Sequence, residues 1–540
     1  MRYRIVVTAF LILLVKFSLR ANVLTVTSLA DNGPGSLRDL VAASVSGDTI
    51  QFAVSGTILL NSAINIPHTL YVYGPGASAL VVDANHVDRA FITGGNPVVL
   101  SGMTITNGYV VGAKGLDGGN GQNGMAGGSA HGGAILNDSN SDWLDLSNCW
   151  ITHNTVRGGQ GGRGGDNPFG DTFTPGNGGD GGVGEGGALY ATGKVFIVNC
   201  TFSDNRTIGG DGGAGGTNYN PATGVIGGAG GSGGGGQGGA INLSGTAALH
   251  GRQLQNSTLS GNRVGGGLGG KGGDNVNGSG GPGGDGASGA GGAIATLLAD
   301  FYCDTIVSNS AFGGIGGLGG NGAPPGASGN SSSGTAGGVI GYAITCQSSI
   351  GNTILADNFS SGHDSNYFIG FIDEGANYIG SDDPMFCAGN NPTTRVGTVP
   401  SPLHPQLGPL AQNGGGLPTH ATTLTSLVTD AGLSFGLTTD ERGAPRPYDF
   451  ISIPNYMGGD GSDIGAFELG NPDLSLGQGR NSVVISWPAY YGDFTLQSTT
   501  NLLLPDNWNS MTDLPVLVGN VFAVTNSPVG ANRFYRLISR

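Results

Sequence analysis

Residues 186–205 read GGALYATGKVFIVNCTFSDN, and the same phrase returns along the chain. The other copies are GGAILNDSNSDWLDLSNCWITHN from Gly132, GGAINLSGTAALHGRQLQNSTLSGN from Gly238, GGAIATLLADFYCDTIVSN from Gly291 and GGVIGYAITCQSSIGNTILADN from Gly337, with a weaker VVLSGMTITNG ending near Asn107. Each full copy has a glycine pair, an apolar pair, an alternating middle, and an apolar residue three before an asparagine. The closing pairs are Ile151 with Asn154, Phe202 with Asn205, Leu259 with Asn262, Ile306 with Asn309 and Leu355 with Asn358. Alternation in short runs separated by turns predicts three strands per copy, and roughly twenty residues are one coil of a solenoid. Asparagine at a corner tolerates left-handed backbone, and its amide can bond the copies above and below. The expected fold is all-β: a right-handed parallel β-helix over residues 22–400. A two-sheet sandwich would not need one phrase five times.

Between one copy's asparagine and the next glycine pair lie roughly thirty residues dominated by glycine, of which the chain has 109 in 540. A usual glycine fraction is about 7%. Within these inserts the spacing is often three, as in GAKGLDGGNGQNGMAGG from Gly112, GGDGGAGG, GGLGGKGGD and GGIGGLGGNG. A polyproline II helix has three residues per turn, so this spacing lines glycine into stripes along which chains can approach closely. The expectation is that each insert runs out and back as paired extended helices, and that successive inserts stack into a slab beside the solenoid. The competing reading is a flexible loop, since ordering the backbone costs about 1–2 kcal/mol per residue. GGRGGD (161–166), GGKGGDNVN (269–277) and GGPGGDGAS (280–288) also match a calcium-binding nonapeptide. The copies are isolated and often lack its apolar eighth residue, so no cofactor is expected and calcium is the alternative.

Charged residues make up 11% of the chain, and the formal net charge is −15. A nucleic-acid phosphate backbone would be repelled, and no run of Lys and Arg offsets that, so no nucleic-acid partner is expected. MRYRIVVTAFLILLVKFSLRA, with an apolar run from Ile5 to Val15, reads as a secretory signal over residues 1–21. No second long apolar segment follows, so no transmembrane helix is expected in the mature chain. Five cysteines, Cys149, Cys200, Cys303, Cys346 and Cys387, are too scattered for a disulfide scaffold. Cys149 and Cys200 share one repeat position, which predicts interior neighbours acting as small apolar residues.

Ahead of the repeats, Ser36 caps a short amphipathic helix in SLRDLVAA that is expected to plug the open first coil. Behind them stand HPQLGPLAQNGG, TDERGAPRP and DIGAFE. Together with TVTSLADNGPGSLRDLV, GDTIQF and NCTFSDN, these phrases resemble the secreted bacterial choice-of-anchor Q β-helix proteins over about residues 22–470. The resemblance implies a pectate-lyase-like β-helix, export, association with the cell surface, and a C-terminal block at 401–470 that precedes an anchoring module. It implies no activity. In that block Asp440, Glu441, Arg442, Arg446, Asp463 and Glu468 are expected to form a paired-charge lock over the last coil, in preference to a catalytic carboxylate pair. Residues 471–540 resemble a fibronectin type III-like β-sandwich module, with Trp487 and Trp508 expected as core.

No catalytic or metal-binding residue emerges. The GHG and RIK phrases of polygalacturonases are absent, Asp382 and Asp383 lie outside the coils, and His153 stands at a solvated corner. The expected function is non-catalytic: a secreted or cell-surface protein making adhesive or structural contact with glycans or envelope polymers. A polysaccharide lyase or glycoside hydrolase is the alternative.

Overall fold

The computed structural model describes residues 21–540 apart from 140–142, 172, 222–223, 246–250, 342–346, 362, 365, 369, 383–390, 480–481, 504–506, 528–531 and 540. The expected signal sequence, save Ala21, and Cys346, Cys387 and Asp383 lie outside the described residues.

The chain forms a parallel β-helix whose walls are two ten-stranded sheets and one eight-stranded sheet. One complete coil carries Leu189–Ala191, Lys194–Val198 and Thr201–Ser203, the three strands that the phrase predicts. Each pairs in parallel with its equivalents in the neighbouring coils. Alternation sends one set of side chains inward, and they stack in file. Ile151, Phe202, Leu259, Ile306, Leu355 and Ile379 form one such column, all buried. The resulting core runs without interruption from Val26 to Ile379, and removing this apolar surface from water is the main stabilising contribution.

Two short strands per coil were not expected. Arg206–Ile208 follows the asparagine, and Gly184–Glu185 precedes the glycine pair, so both are the feet on which the insert stands. They join seven- and four-stranded sheets. Runs of only two or three residues carry too little alternation to register as strands. Gly186 has φ +65°, and a Cβ on Gly187 would lie 2.1 Å from Gly239 O, so the pair combines a left-handed turn with contact to the next coil. In the fifth copy the pair is offset by one: Ala336 takes the left-handed conformation at φ 54°, and Ile294 pairs with Val339.

The asparagines form a buried ladder. Asn154 Nδ2 donates to Asn205 Oδ1 at 3.0 Å, Asn205 to Asn262 at 3.0 Å, Asn262 to Asn309 at 2.9 Å and Asn309 to Asn358 at 2.9 Å. The left-handed residue is the one before each asparagine, not the asparagine itself: His153, Asp204, Gly261, Ser308 and Asp357 have φ between 54° and 71°. The turn rotates the following residue inward, where its amide meets the stack.

The inserts are ordered, and they build the slab. The outgoing arm of the second insert donates forward from Gly158, Gly161 and Gly164 to Ile208, Asp211 and Ala214 carbonyls of the next outgoing arm, at 2.8–2.9 Å. Its Gly159, Gly162 and Gly165 donate at 2.8 Å to carbonyls of the first insert's return arm. Gly176, Gly179 and Gly182, on the way back, donate to Gly165, Gly162 and Gly159. Each triplet therefore spends its two glycine N–H groups on two different neighbours. The third N–H is taken by a side chain in several rows, as where Arg163 N donates to Asp117 Oδ1 and Thr217 N to Asp166 Oδ1. Committing the glycine N–H groups in this way offsets part of the entropy lost in ordering so much glycine.

The stripes follow from the packing. A Cβ on Gly161 would lie 1.9 Å from Gly179 O, and one on Gly162 2.0 Å from Leu116 O. The outermost arms, the first outgoing and the last return, bond two neighbours where an interior arm bonds four, and they keep one glycine per triplet. The first outgoing arm has Ala113 and Leu116 at the free edge, and the last return arm has Pro325 and Ser328 there, all exposed.

At the N-terminus, Leu37–Ala43 is the expected helix, with Ser36 Oγ accepting from Asp39 N at 3.2 Å and Leu37 and Val41 buried in the first coil's core. At the C-terminus two antiparallel sheets share a core of Ile485, Trp487, Phe494, Leu496 and Val524.

Candidate functional site

The charge cluster of the 401–470 block does not sit over the last coil as expected. It lies against the outer face of the ten-stranded sheet that contains Thr201–Ser203, Thr258–Ser260 and Thr305–Val307, in the middle of the stack. Glu441 Oε1 accepts from Thr201 Oγ1 at 2.7 Å and Oε2 from Thr258 Oγ1 at 2.5 Å, while Ala466 N donates to Thr305 Oγ1. His420 Nε2 meets Ser260 Oγ at 2.8 Å. The threonine column of one wall is thus the floor on which the block rests. No periodic signal marks such contacts, because the partners stand some two hundred residues apart.

Inside the block the charges pair as a structural knot. Arg446 donates to Glu468 Oε2 at 2.8 Å with both side chains buried, and to the Gly465 and Phe467 carbonyls. Arg442 pairs with Asp440 at 2.8 Å and lies over the Phe467 ring at 3.6 Å. Asp463 accepts from Thr422 Oγ1 and the Asp430 and Leu469 amides. Burial pushes the Asp463 and Glu468 acids up, and Asp430 up to about 7. Burial likewise raises Glu441 well above the carboxylate range. With the oxygens of Glu441, Asp463 and Glu468 committed to amides, hydroxyls and an arginine, and Asp430 Oδ2 to the Phe450 amide, these acids hold the block together.

The remaining residues singled out by sequence disperse. His153 is an exposed corner residue whose ring bonds Thr152 Oγ1. The aspartates of the calcium-like phrases turn to the slab: Asp166 binds Arg163 and the Thr217 amide, Asp274 binds Lys271 and the Asn321 amide, and Asp285 binds the Asn330 amide. Among the described residues no three His, Cys, Asp or Glu side chains converge as metal ligands. Cys149 and Cys200 are buried neighbours on adjacent coils, free, with Cys149 N donating to Cys200 Sγ at 3.5 Å. Trp487 is core, whereas Trp508 is half-buried and carries Arg536 on its ring at 4.4 Å.

A different set of side chains faces solvent at the foot of the slab. On the seven-stranded sheet, Tyr109, Thr155, Arg206, Arg263, Ser310 and Phe359 form one outward column, a rung apart. Arg157 and Phe312 stand in the next column. Arg157, Arg206, Arg263, Asp211, Leu268 and Phe312 line a cleft of about 380 Å³ between this sheet and the slab. The Arg263 guanidinium lies over the Phe312 ring at 4.3 Å, and Arg157 pairs with Asp211 at 2.6 Å. Sequence reasoning sought basic residues in a linear run and missed this cluster. Its signal is the arginine directly after a ladder asparagine, in DNR and GNR.

No helix among the described residues is long and apolar enough to cross a membrane. No protein-family model and no curated protein matches the chain.

Proposed function

We propose that this is a non-catalytic extracellular or cell-surface protein that makes adhesive or structural contact with glycans or envelope polymers through the flank of its β-helix. The supporting observation is the slab. Its two hydrogen-bonded layers hold the third residue of each triplet at fixed spacing, so that Asn123, Asn177, Asp180, Ser232, Asp285 and Asn330 form an exposed polar face. Amide, hydroxyl and carboxylate groups on a rigid backbone are suited to hydroxyl-bearing polymers, since little side-chain order has to be created on binding. Export by the N-terminal signal and kinship with the choice-of-anchor Q β-helix proteins belong to the same proposal. Their support is the resemblance of the terminal phrases and the parallel β-helix architecture.

The test is a glycan-array and envelope-polymer binding panel on the chain from Asn22, with a degradation panel run beside it. Binding without new reducing or unsaturated ends is the expected result. Cleavage of a polysaccharide would replace this reading with that of a lyase or hydrolase.

A further inference from the structure

Arg206 and Arg263 are exposed and in direct register on neighbouring strands, which places their Cα atoms about 4.8 Å apart. Two like charges so close, with Arg157 lining the same cleft, repel one another. Burial, then Arg263, then Arg157 lower the Arg206 guanidinium below its ordinary value. Elsewhere the chain does not leave a crowded arginine unanswered: Arg252 donates to the carbonyls of Thr192, Gly193 and Leu243 at 2.8–3.0 Å. Among the described residues neither Arg206 nor Arg263 has a carboxylate within 4.0 Å, and the cleft's one acid, Asp211, is engaged by Arg157. In a chain of net charge −15 this concentrates positive charge where the rest of the surface repels anions.

We propose that Arg206 and Arg263, backed by Arg157, form a binding site for the oxyanion substituents of an anionic glycan, the class of polymer that the flank of this protein contacts. The inference rests on the glycan reading above and adds the charge class and the residues. Guanidinium groups offer paired N–H donors that match carboxylate, sulfate and phosphate oxygens. The Phe312 ring supports the Arg263 plane, which reduces the freedom lost on binding. Tyr109 and Phe359, at the ends of the same column, supply ring faces for sugar C–H surfaces.

Two measurements separate the site from the wider reading. The first follows thermal unfolding with inorganic sulfate, comparing wild type with Arg206→Gln/Arg263→Gln. Sulfate is expected to raise the wild-type midpoint and to leave the variant unmoved; equal shifts in both would overturn the site. The second compares binding of a sulfated glycan, a polyuronate, a phosphorylated glycan and a neutral glucan. At least one anionic polymer is expected to bind the wild type about tenfold more tightly than the neutral one, to weaken as salt is raised, and to lose that advantage in the variant. The polymer that shows it identifies the oxyanion. Equal binding of neutral and anionic glycans, unchanged in the variant, overturns the inference and leaves the glycan reading standing. Absence of binding to every polymer, with the sulfate response retained, overturns the glycan reading and confines the site to small anions. The conservative Arg206→Lys/Arg263→Lys pair keeps the charge and is expected to keep part of the affinity. Its failure to outperform the glutamine pair at matched unfolding midpoints would count against the site.

Discussion

Asn205 and Asn262 are joined twice through one atom: Asn262 Oδ1 accepts from Asn205 Nδ2 at 3.0 Å and from Asn205 backbone N–H at 3.1 Å. One carbonyl oxygen therefore satisfies the corner of the coil before it, and Asn262 Nδ2 in turn donates to the Phe202 carbonyl and to Asn309.

Replacing Asn262 by alanine leaves the Asn205 amide and backbone N–H buried without this acceptor. Each orphaned group costs about 1–3 kcal/mol, so a clear drop in the denaturant midpoint is expected, measured by circular dichroism. Replacement of His153, the exposed corner residue ahead of Asn154, by asparagine, which tolerates the same left-handed backbone, should change it little.

The slab predicts a contrast between two rows of one stripe. Gly162→Ala would place a methyl carbon 2.0 Å from Leu116 O. The arms must part, and amide exchange at Gly161, Gly162 and Gly179 should accelerate by at least about tenfold. Leu116→Ala, at the free edge, should leave protection of those amides unchanged. Rapid exchange throughout the wild-type inserts would contradict the ordered slab.

Glu441 bridges two threonines of the solenoid wall while burial favours its neutral form. Glu441→Gln keeps the shape and an oxygen acceptor, so near-wild-type stability is expected. Glu441→Ala leaves the Thr201 and Thr258 hydroxyls facing a void and should cost roughly 2–4 kcal/mol. Limited proteolysis should then start within residues 401–470.

Asp430 links pH to the same block. Burial raises its folded-state value to about 7, and its Oδ1 has no hydrogen-bond partner. In an unfolded chain the value is about 3.9. A raised acid stabilises the fold fully below the unfolded value, and that contribution fades as pH climbs through about 7. The block should therefore loosen between about pH 4 and pH 7 and change little above that, and Asp430→Asn should flatten that slope. The readout is the thermal midpoint as a function of pH.

What the chain discloses to a reader depends on whether neighbours in space are also periodic in sequence. The columns Ile151 to Leu355 and Asn154 to Asn358 repeat with the coil, and the stripes Gly158 to Gly165 repeat every third residue. Both could be read directly, as could the helix capped by Ser36. The seat of Glu441 on Thr201 and Thr258 was hidden, because nothing local to either segment records a contact across so long a separation. The arginine cleft was hidden differently: Arg206 and Arg263 are remote in sequence and a rung apart in space, so a cluster dispersed one residue per coil does not look like a cluster.

The thinning of glycine at the two outermost arms also bears on how such a molecule changes size. An interior insert with its coil presents matching faces above and below, whereas Ala113 and Leu116 at one margin and Pro325 and Ser328 at the other place side chains where a further arm would have to pack. Duplication of a middle unit would widen the surface by one row and leave both borders intact. Loss of a border unit would expose bare glycine backbone, with unspent donors and acceptors, to whatever chain came next. The same four side chains that mark where the slab stops thus keep separate molecules from extending one another.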